Sequence, residues 1–342
     1  MASRGRATVR DIAAETGVSI ATVSRVLNGH AHVSAQTREL VAGAVERLGR
    51  AGPSPRRGRA TVGGAVFVRC PYVLTDYFGI IVSAVAETLD LHGRQVILNA
   101  GEATQRSSVL PALPDRPGIS GAIMVLPPES TADLERLRGR AFAFVVVDPR
   151  TPLPRDVAAV SAAHFAGARR MTTHLIELGH RRIGVIGGPR PWLASDARLA
   201  GHTAALAEVG VLPAPELLRS TEPTTEHGYR AATELLDRPE PPTALVGFCD
   251  KSAVGALRAA AERGLRVPED LSITGYDDID VSRATAPALT TVRQPLREMG
   301  AMAVSLLMRL IDRHPVEALH VELATEIVVR GSTGPVPAGR AS

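Results

Sequence analysis

The sequence has few cysteines and no long apolar run, and each shortage excludes a class of protein. Cys70 and Cys249 are its only cysteines, too few for a disulfide framework or a cysteine zinc site. The apolar run at 141–147 is far shorter than the roughly 20 residues of a membrane-spanning helix. The amphipathic pattern near the start, interrupted by Asp11 and Glu15, is unlike a secretory signal. We therefore expect a protein of the reducing cytoplasm that has no membrane partner.

Signatures of common enzymes are also missing. The sequence contains no Gly-Lys-Ser/Thr phosphate loop, no Gly-x-Ser-x-Gly elbow and no paired-histidine metal motif. The glycine-rich segment 184–188 lacks the spacing of a dinucleotide fingerprint. Isolated histidines, such as the ten scattered here, are more often surface or core residues than ligands. We expect neither an enzyme nor a protein with a metal or cofactor.

Positive charge is concentrated at the N-terminus. Residues 1–60 contain ten arginines and four acidic residues, a surplus of six positive charges, whereas the whole chain carries +4. The remaining residues are therefore slightly acidic. A basic head on a slightly acidic body predicts a segment that binds a polyanion. A solvated basic tail is the simpler alternative.

The first fifty residues carry the signals of three helices. A capping box begins at Thr8, and the first helix is predicted to end at Gly17, where glycine tolerates a tight turn. Ser19 is placed to cap a second helix over 20–27, and Ser34 is placed to cap a third. Two short helices joined by a tight turn and supported by a third predict a helix-turn-helix.

The order of these residues is more specific than their outline. Residues 8–29 read TVRDIAAETGVSIATVSRVLNG and resemble the headpiece of the lactose/galactose-repressor family, and residues 32–38 continue that pattern. The resemblance implies that 20–27 is a recognition helix in the major groove, with base contacts from Ile20, Ala21 and Arg25. It also implies phosphate contacts from polar side chains near helix starts: Thr8, Ser19, Thr22, Asn28, Ser34 and Thr37. A serine or threonine at such a place is otherwise simply a cap.

From residue 62 onward, short β-rich runs alternate with helical patterns. Strands are predicted at 62–68, 95–99, 119–126, 142–147, 182–186, 243–248 and 271–275. Helices are predicted at 78–92, 166–178, 197–209, 227–236, 250–263 and 295–312. This alternation predicts an α/β fold with parallel sheets flanked by helices. Ligands of such sheets bind at the carboxyl ends of the strands.

The body also resembles the same family, whose sensor domain is similar to periplasmic sugar-binding proteins. The resemblance is carried by 178–188, 198–201, 264–278 and 289–295. It implies a helix-turn-helix domain, a linker and a two-lobed periplasmic-binding-protein-like sensor. The implied boundaries are 1–49 for the DNA-binding domain, 50–61 for the linker, 62–160 with 293–319 for the first lobe, 161–292 with 320–332 for the second lobe, and 333–342 for a flexible tail.

The resemblance also implies a cleft for a small effector between the lobes. The cleft residues would be Tyr77, Phe78, Trp192, Arg198, Cys249, Asp250 and Asp277. Arg198 and Asp277 would bond polar groups of the ligand. Cys249 stands where family members often have asparagine, and 161–163 lacks their usual Asp-Asn pair. These departures predict a less polar cleft with aromatic walls.

Several of these assignments have a simpler structural alternative. The aromatic pair at 77–78 could belong to the core, since aromatic side chains dominate cores. Arg198 could form a surface ion pair with Asp196 or Glu208. Asp277 could cap a short helix.

The linker departs most from the family, whose members usually carry a hinge helix ending in a leucine wedge. Residues 49–61 contain two prolines and no leucine, which predicts a tether without a wedge. The Pro/Gly-rich segment after Arg330 has no heptads, so no tetramerising helix is expected.

Together these patterns predict a DNA-binding transcriptional regulator, a repressor whose operator affinity is controlled by a small effector. We expect a homodimer, because one recognition helix specifies too few base pairs and paired half-sites match two-fold symmetry. Two alternatives remain: a metabolic enzyme on the same fold, and a periplasmic solute-binding protein. The latter would need a signal peptide where this chain has a basic head.

Overall fold

The computed structural model describes residues 9–19, 22–23, 26, 34–47, 64–106, 109–190, 192–212, 214–316 and 318–337. The chain divides into two compact units, residues 1–62 and residues 63–342. The first unit corresponds to the basic head, and the second is the α/β body.

The first unit has a small apolar core formed by its helices. Helix α1 spans Val9–Thr16 and helix α2 spans Ala35–Arg47. Ile12, Val41 and the intervening Val23 are fully buried against one another. Gly17 follows α1 with φ +69°, a backbone conformation that favours glycine. The predicted end of the first helix is therefore confirmed.

Two predicted helix starts are also confirmed by their caps. The Thr22 amide donates to Ser19 Oγ over 3.1 Å, and the Thr37 amide donates to Ser34 Oγ over 3.2 Å. Each serine thereby accepts from one of the backbone N–H groups that a helix start leaves without an intrahelical partner.

The second unit begins with a lobe built on a parallel sheet. Its strands are β1 Ala65–Cys70, β2 Val96–Ala100, β3 Ile119–Val125, β4 Phe144–Val147, β5 Ala158–Ala162 and β11 His320–Leu323. They are ordered β11-β5-β4-β3-β1-β2 in the sheet. Helices α3 (Asp76–Leu91) and α10 (Leu296–Ile311) cover one face, with aliphatic side chains between them and the sheet. The other face packs on α4 (Thr131–Gly139) and a 3-10 turn at Leu110–Asp115.

The second lobe has a smaller parallel sheet in the order β7-β6-β8-β9. Its strands are β6 Ile183–Gly187, β7 Leu218–Ser220, β8 Ala244–Gly247 and β9 Ser272–Thr274. Helices pack on both faces as the pairs α5–α6 and α7–α8. They span α5 His164–Glu177, α6 Leu193–Glu208, α7 Thr225–Leu236 and α8 Asp250–Glu262. A short helix, α9, spans Val281–Ala284.

Within the described part of the chain, the backbone passes between the lobes after β5, after β10 and after β11. Strand β10 (Thr291–Arg293) pairs antiparallel with β12 (Glu326–Val328). Asp277 is joined to Arg293 by an isolated parallel bridge, so the loop after β9 is attached directly to a crossover strand. The α/β architecture with parallel sheets flanked by helices agrees with the prediction.

The predicted strands and helices of the body match observed elements to within a few residues at each end. Sequence reasoning missed α4, although Ser130 and Asp133 form the capping box that signals its start. It also missed the short strands β5, β7, β10, β11 and β12. Strands of three to five residues with mixed burial offer too short a pattern to recognise.

Two predicted boundaries are wrong. The sequence predicts that 320–332 belongs to the second lobe, but β11 at the start of this segment pairs with β5 in the sheet of the first lobe. The segment from 333 was predicted to be a flexible tail, yet the Val336 amide donates to the Leu178 carbonyl over 2.9 Å. His180 in the second lobe also contacts the Gly334 carbonyl at 3.1 Å. Residues 333–336 are thus part of the second lobe.

Candidate functional site

The head presents hydroxyl pairs at the starts of two helices. Ser19 Oγ lies 2.9 Å from Thr22 Oγ1, and Ser34 Oγ lies 2.7 Å from Thr37 Oγ1. Both serines are exposed. A helix start with exposed hydroxyl and N–H groups is suited to a phosphate oxygen. Of the residues assigned to DNA by resemblance, these four lie in the described part of the chain.

The other DNA assignments lie outside the described residues. They are the base-contact residues Ile20, Ala21 and Arg25, the phosphate-contact residues Thr8 and Asn28, and the linker 50–61. Their roles stay predictions from the sequence.

A cleft in the body lies at the carboxyl ends of strands from both sheets and is lined by residues of both lobes. Its cavity volume is about 90 Å³. Six residues assigned by resemblance line it: Tyr77, Phe78, Trp192, Arg198, Cys249 and Asp277. Sequence reasoning missed its other lining residues, which are Thr75, Asp76, Leu126, Asp148, Ala194, Pro223, Phe248, Lys251 and Ile279.

The backbone is strained at several points of the cleft. Asp76, Leu126, Asp148 and Asp277 all have positive φ, between 44° and 120°, and all line the cleft. The described residues contain three further non-glycine positions of this kind. Such conformations cost energy and cluster at functional sites, where the surrounding structure holds them.

A buried polar chain runs along one wall of the cleft. Tyr77 Oη donates to Asp148 Oδ2, and His164 Nε2 lies 2.9 Å from Asp148 Oδ1. Arg198 donates to His164 Nδ1 over 3.3–3.4 Å and to the Phe248 carbonyl. Although burial alone would raise the pKa of the Asp148 carboxyl, His164, Tyr77 and Arg198 lower it. Asp148 is therefore held as an anion.

Arg198 is held between two aromatic rings. Its guanidinium carbon lies 3.7 Å from the Tyr276 ring centroid and 4.4 Å from that of Phe248. Contact with two rings restricts the orientation of the guanidinium, so its remaining N–H groups have a defined direction. The alternative surface pairing of Arg198 with Glu208 is not observed, since Glu208 pairs with Arg169 at 2.6 Å.

The mouth of the cleft is closed by contacts between the lobes. Arg150 lies over the Trp192 ring at 4.8 Å, and the Leu193 amide donates to the Arg150 carbonyl over 2.9 Å. Lys251 Nζ lies 2.8 Å from Asp76 Oδ2. Each contact joins the first lobe to the second. The two lobes are thus in direct contact across the mouth of the cleft.

Aromatic rings form part of the walls of the cleft. Phe78 stacks on Tyr72 with ring centroids 4.2 Å apart, and Trp192 meets Phe248 edge-on at 6.4 Å. Tyr77 and Phe78 also pack against the core of the first lobe. This pair therefore both lines the cleft and packs on the core, and its contact with an effector stays a prediction.

Asp277 faces the cleft from the loop that is bridged to β10. Gln294 Nε2 donates to Asp277 Oδ1 over 2.6 Å, and the backbone N–H of Asp277 donates to the Val292 carbonyl. Burial raises the pKa of the Asp277 carboxyl, and Arg198 and Gln294 offset part of that rise. Asp277 does not cap a helix, because α9 begins at Val281.

Asp250 is not among the residues that line the cleft, contrary to the prediction. Its carboxylate is completely buried and accepts from Thr291 Oγ1 over 2.5 Å and from the Ile279 amide over 2.9 Å. Burial raises its pKa, and the nearby charge of Asp277 raises it further. A side chain at Gly275 would place its Cβ 2.2 Å from Asp250 Oδ1. Asp250 therefore braces the loop behind the cleft.

Cys249 lines the cleft two residues after strand β8 ends. Its side chain is buried, with Sγ 3.4 Å from Ser252 Oγ. Burial raises the pKa of the thiol to about 11, so it stays protonated at neutral pH. It contributes a small, weakly polar surface where an amide would have offered two strong hydrogen-bonding groups.

Neither a metal site nor a membrane span is found within the ranges that the structure describes. No group of three His, Cys, Asp or Glu side chains there could hold a metal ion. None of the helices in those ranges is both long and apolar enough to cross a bilayer.

Both units match known families. Residues 8–49 match the family described as bacterial regulatory proteins, lacI family, and residues 172–333 match the periplasmic binding protein-like domain. The HTH-type transcriptional regulator reg1 of Streptomyces lividans is 37% identical over 96% of this chain and 97% of its own.

Solved structures agree with these matches. The complex of transcriptional regulator CelR with cellobiose is 31% identical, with a TM-score of 0.71 over 96% of this chain and 100% of that one. The lac repressor dimer bound to operator and the anti-inducer ONPF is 28% identical, with a TM-score of 0.69 over the same shares of the two chains. Both likenesses extend over the head and the body.

Proposed function

Because this chain belongs to the lacI family of bacterial regulatory proteins, we propose that its cleft binds a small polyhydroxylated effector that controls operator binding. The chain is a DNA-binding transcriptional regulator and not an enzyme. As a regulator of bacterial operators, it acts in the cytoplasm. The observation that carries the proposal is the cleft itself, where buried charges from two lobes face one cavity.

The chemistry of the walls favours an uncharged ligand with hydroxyl groups and an apolar face. Arg198 supplies donors, whereas Asp148 and Asp277 supply acceptors. The rings of Phe78 and Trp192 present flat apolar surfaces. A sugar ring combines these features, because its hydroxyls both donate and accept and its C–H face packs on aromatic rings. Cellobiose, the ligand of the CelR neighbour, is an example.

The head is proposed to bind the operator in two ways. Ser19, Thr22, Ser34 and Thr37 would bond phosphates, which sets the register without reading sequence. Ile20, Ala21 and Arg25 would contact bases, as the family resemblance implies. Thr8 and Asn28 complete the proposed phosphate contacts.

We also propose that the chain acts as a homodimer, as the lac repressor neighbour does on its operator. Strand β2 lies at one edge of the sheet in the first lobe, and its residues Ile97 and Leu98 are 41% and 47% exposed. Leu91, just before that strand, is 80% exposed. Exposed apolar edges of this kind invite a partner. Two copies would present two heads to paired half-sites.

Effector control would follow from closure of the lobes. A ligand that bonds both walls binds the closed arrangement better than an open one and shifts the population toward it. In a dimer that shift would change the spacing of the heads and hence the operator affinity. The chain is thereby proposed to be a repressor regulated by its ligand.

Thermal unfolding in the presence of cellobiose tests the cleft. Binding should raise the melting temperature of the native chain, since a ligand of the folded state stabilises it by mass action. Arg198→Ala should abolish that rise, whereas the surface variant Arg169→Ala should keep it. An unchanged melting temperature with cellobiose and with a panel of other mono- and disaccharides would contradict a sugar effector.

Fluorescence anisotropy on specific and random duplexes tests the head. Arg25→Ala should cost about 1–3 kcal/mol of specific affinity and leave non-specific binding nearly intact. An equal loss on both duplexes would remove Arg25 from the base contacts.

A further inference from the structure

His164 stands at the point where the chain enters the second lobe. It is the first residue of α5, two residues after β5 ends. It is only 6% exposed and does not line the cleft. Its ring nevertheless touches cleft residues of both lobes, Asp148 after β4 and Arg198 on α6.

The partners of His164 determine where its proton lies. A guanidinium can only donate, so Nδ1 must accept from Arg198. Nε2 then carries the hydrogen and donates to Asp148 Oδ1 over 2.9 Å. The ring therefore bridges a carboxylate and a guanidinium.

This bridge leaves bonding capacity free on both charged groups. A direct bidentate pair would occupy both carboxylate oxygens and two guanidinium N–H groups with each other. Through His164, Asp148 is held at Oδ1 by the ring and at Oδ2 by Tyr77. Each oxygen keeps a lone pair, and Arg198 keeps N–H groups that its partners do not use. Both side chains remain lining residues of the cleft.

We propose that His164 is a positioning residue that joins Asp148 of the first lobe to Arg198 of the second and holds the cleft closed and ordered for its ligand. The ligand part of this statement rests on the proposed effector function. The joining of the lobes does not, because it concerns contacts between residues of the chain itself.

The single tryptophan of the chain, Trp192, reports the state of the cleft directly. It is half-buried at the mouth, 4.8 Å from the Arg150 guanidinium of the opposite lobe. Opening of the lobes would expose its indole to water and shift its emission to longer wavelength. This readout needs no ligand and is not moved by a change of stability in a chain that stays folded.

Three variants test the two hydrogen bonds of His164 together and separately. His164→Phe keeps a ring and removes both hydrogen bonds. His164→Asn keeps an acceptor near Nδ1 for Arg198, and His164→Gln keeps a donor near Nε2 for Asp148. His92→Phe, at an exposed histidine that follows α3, is the matched control.

The variants are expected to fall in the same order for Trp192 emission and for cellobiose binding. His164→Phe should red-shift Trp192 emission and weaken cellobiose binding by about tenfold or more, because charge-assisted bonds to both lobes are lost. His164→Asn and His164→Gln should each lie between His164→Phe and the native chain, and His92→Phe should match the native chain. Circular dichroism confirms that each variant is folded, and if His164→Phe unfolds, the Asn and Gln variants carry the comparison.

Native emission in all three folded His164 variants would overturn the proposal. If the native chain does not bind cellobiose but the emission still changes in this order, the joining role stands and the choice of ligand fails. If cellobiose binds equally to all variants and their emission is native, His164 is a structural residue only.

Discussion

The two lobes of the body share one layout but bring different charges to the cleft. The first lobe contributes the carboxyls of Asp76 and Asp148, whereas the second contributes Arg198 and Lys251 together with one carboxyl, Asp277, whose pKa is raised by burial. They meet as the Lys251–Asp76 ion pair at the mouth and as the His164 bridge deeper in the wall. Opposite charge on facing walls favours closure even without a ligand. These contacts hold the two walls of the cleft together.

The lobes also differ in how their cores are packed. The first lobe fills the space between sheet and helices with large aliphatic side chains, such as Ile123 and Leu307. The second lobe brings its helices close together through small residues, and Gly228 and Gly255 lie at the α7–α8 contact. A bulky core is sensitive to loss of volume, whereas a close helix contact is sensitive to its addition.

The largest expected effect is in the first lobe. Ile123→Ala should lower the free energy of unfolding by about 2–5 kcal/mol, because its side chain is fully buried and the void cannot collapse completely. Urea denaturation measures the loss. Leu212→Ala removes the same number of carbons at a site that is 86% exposed, and it should cost less than about 0.5 kcal/mol. Equal costs for the two variants would contradict the importance of this core.

The close contact in the second lobe should respond to a single methyl group. A Cβ at Gly255 would lie 2.2 Å from the Thr225 carbonyl oxygen, so Gly255→Ala should cost about 1–3 kcal/mol of unfolding free energy. Gly139→Ala in the first lobe meets no atom within 4 Å and should be neutral or slightly stabilising. Urea titrations measure the unfolding free energy of both variants. If Gly255→Ala left that free energy unchanged, α7 and α8 could move apart without cost.

Acid should lower the contribution of His202, in the second lobe, to the free energy of unfolding. Burial lowers the pKa of His202 from 6.5 to about 4. The unfolded chain therefore takes up a proton at a higher pH than the folded one, and stability falls as pH drops from about 6.5 toward 4. The Asp148 carboxyl of the first lobe has a lowered pKa, so its contribution is lost only at lower pH still.

The expected size of the His202 effect is about 2 kcal/mol of unfolding free energy lost between pH 7 and pH 5. Denaturant titrations at the two pH values measure it. His202→Gln should flatten the pH dependence, while the exposed His92→Gln should not. The idea fails if the His202 variant keeps the full pH slope of the native chain.

The smallest effect belongs to the ion pair at the mouth. Lys251 and Asp76 are 39% and 34% exposed, so Lys251→Ala should reduce the closure free energy by only about 0.2–1 kcal/mol. A double-mutant cycle with Asp76→Ala, read from Trp192 emission, isolates the pair. Raising the salt concentration should reduce its coupling. A coupling that is unaffected by salt would mean that the contact is not mainly electrostatic.

Sequence patterns located most of the regular structure for a simple reason. A buried parallel strand such as β4, read as Phe144–Val147, is a continuous apolar run between turn signals and needs no partner to be recognised. The helix starts at Ser19 and Ser34 were equally readable, because a cap is a local interaction between residues three apart.

The cleft was only partly predictable. Residues in segments that resemble the family, including Arg198 and Asp277, line it. Asp148 was missed, although its place directly after a buried strand was a usable signal. Lys251 and His164 had no comparable signal, since a lone lysine or histidine at a helix start is most simply a surface or core residue.

The sequence by itself determined the alternating strands and helices, the caps of the head and the class of fold, because these depend on interactions between near neighbours. The tertiary structure decided which lobe takes β11, why Asp250 is buried behind the wall, and how Asp148 meets Arg198 through His164. The partners in each case are far apart along the chain, and local pattern carries no information about which distant residues the crossovers between the lobes bring together.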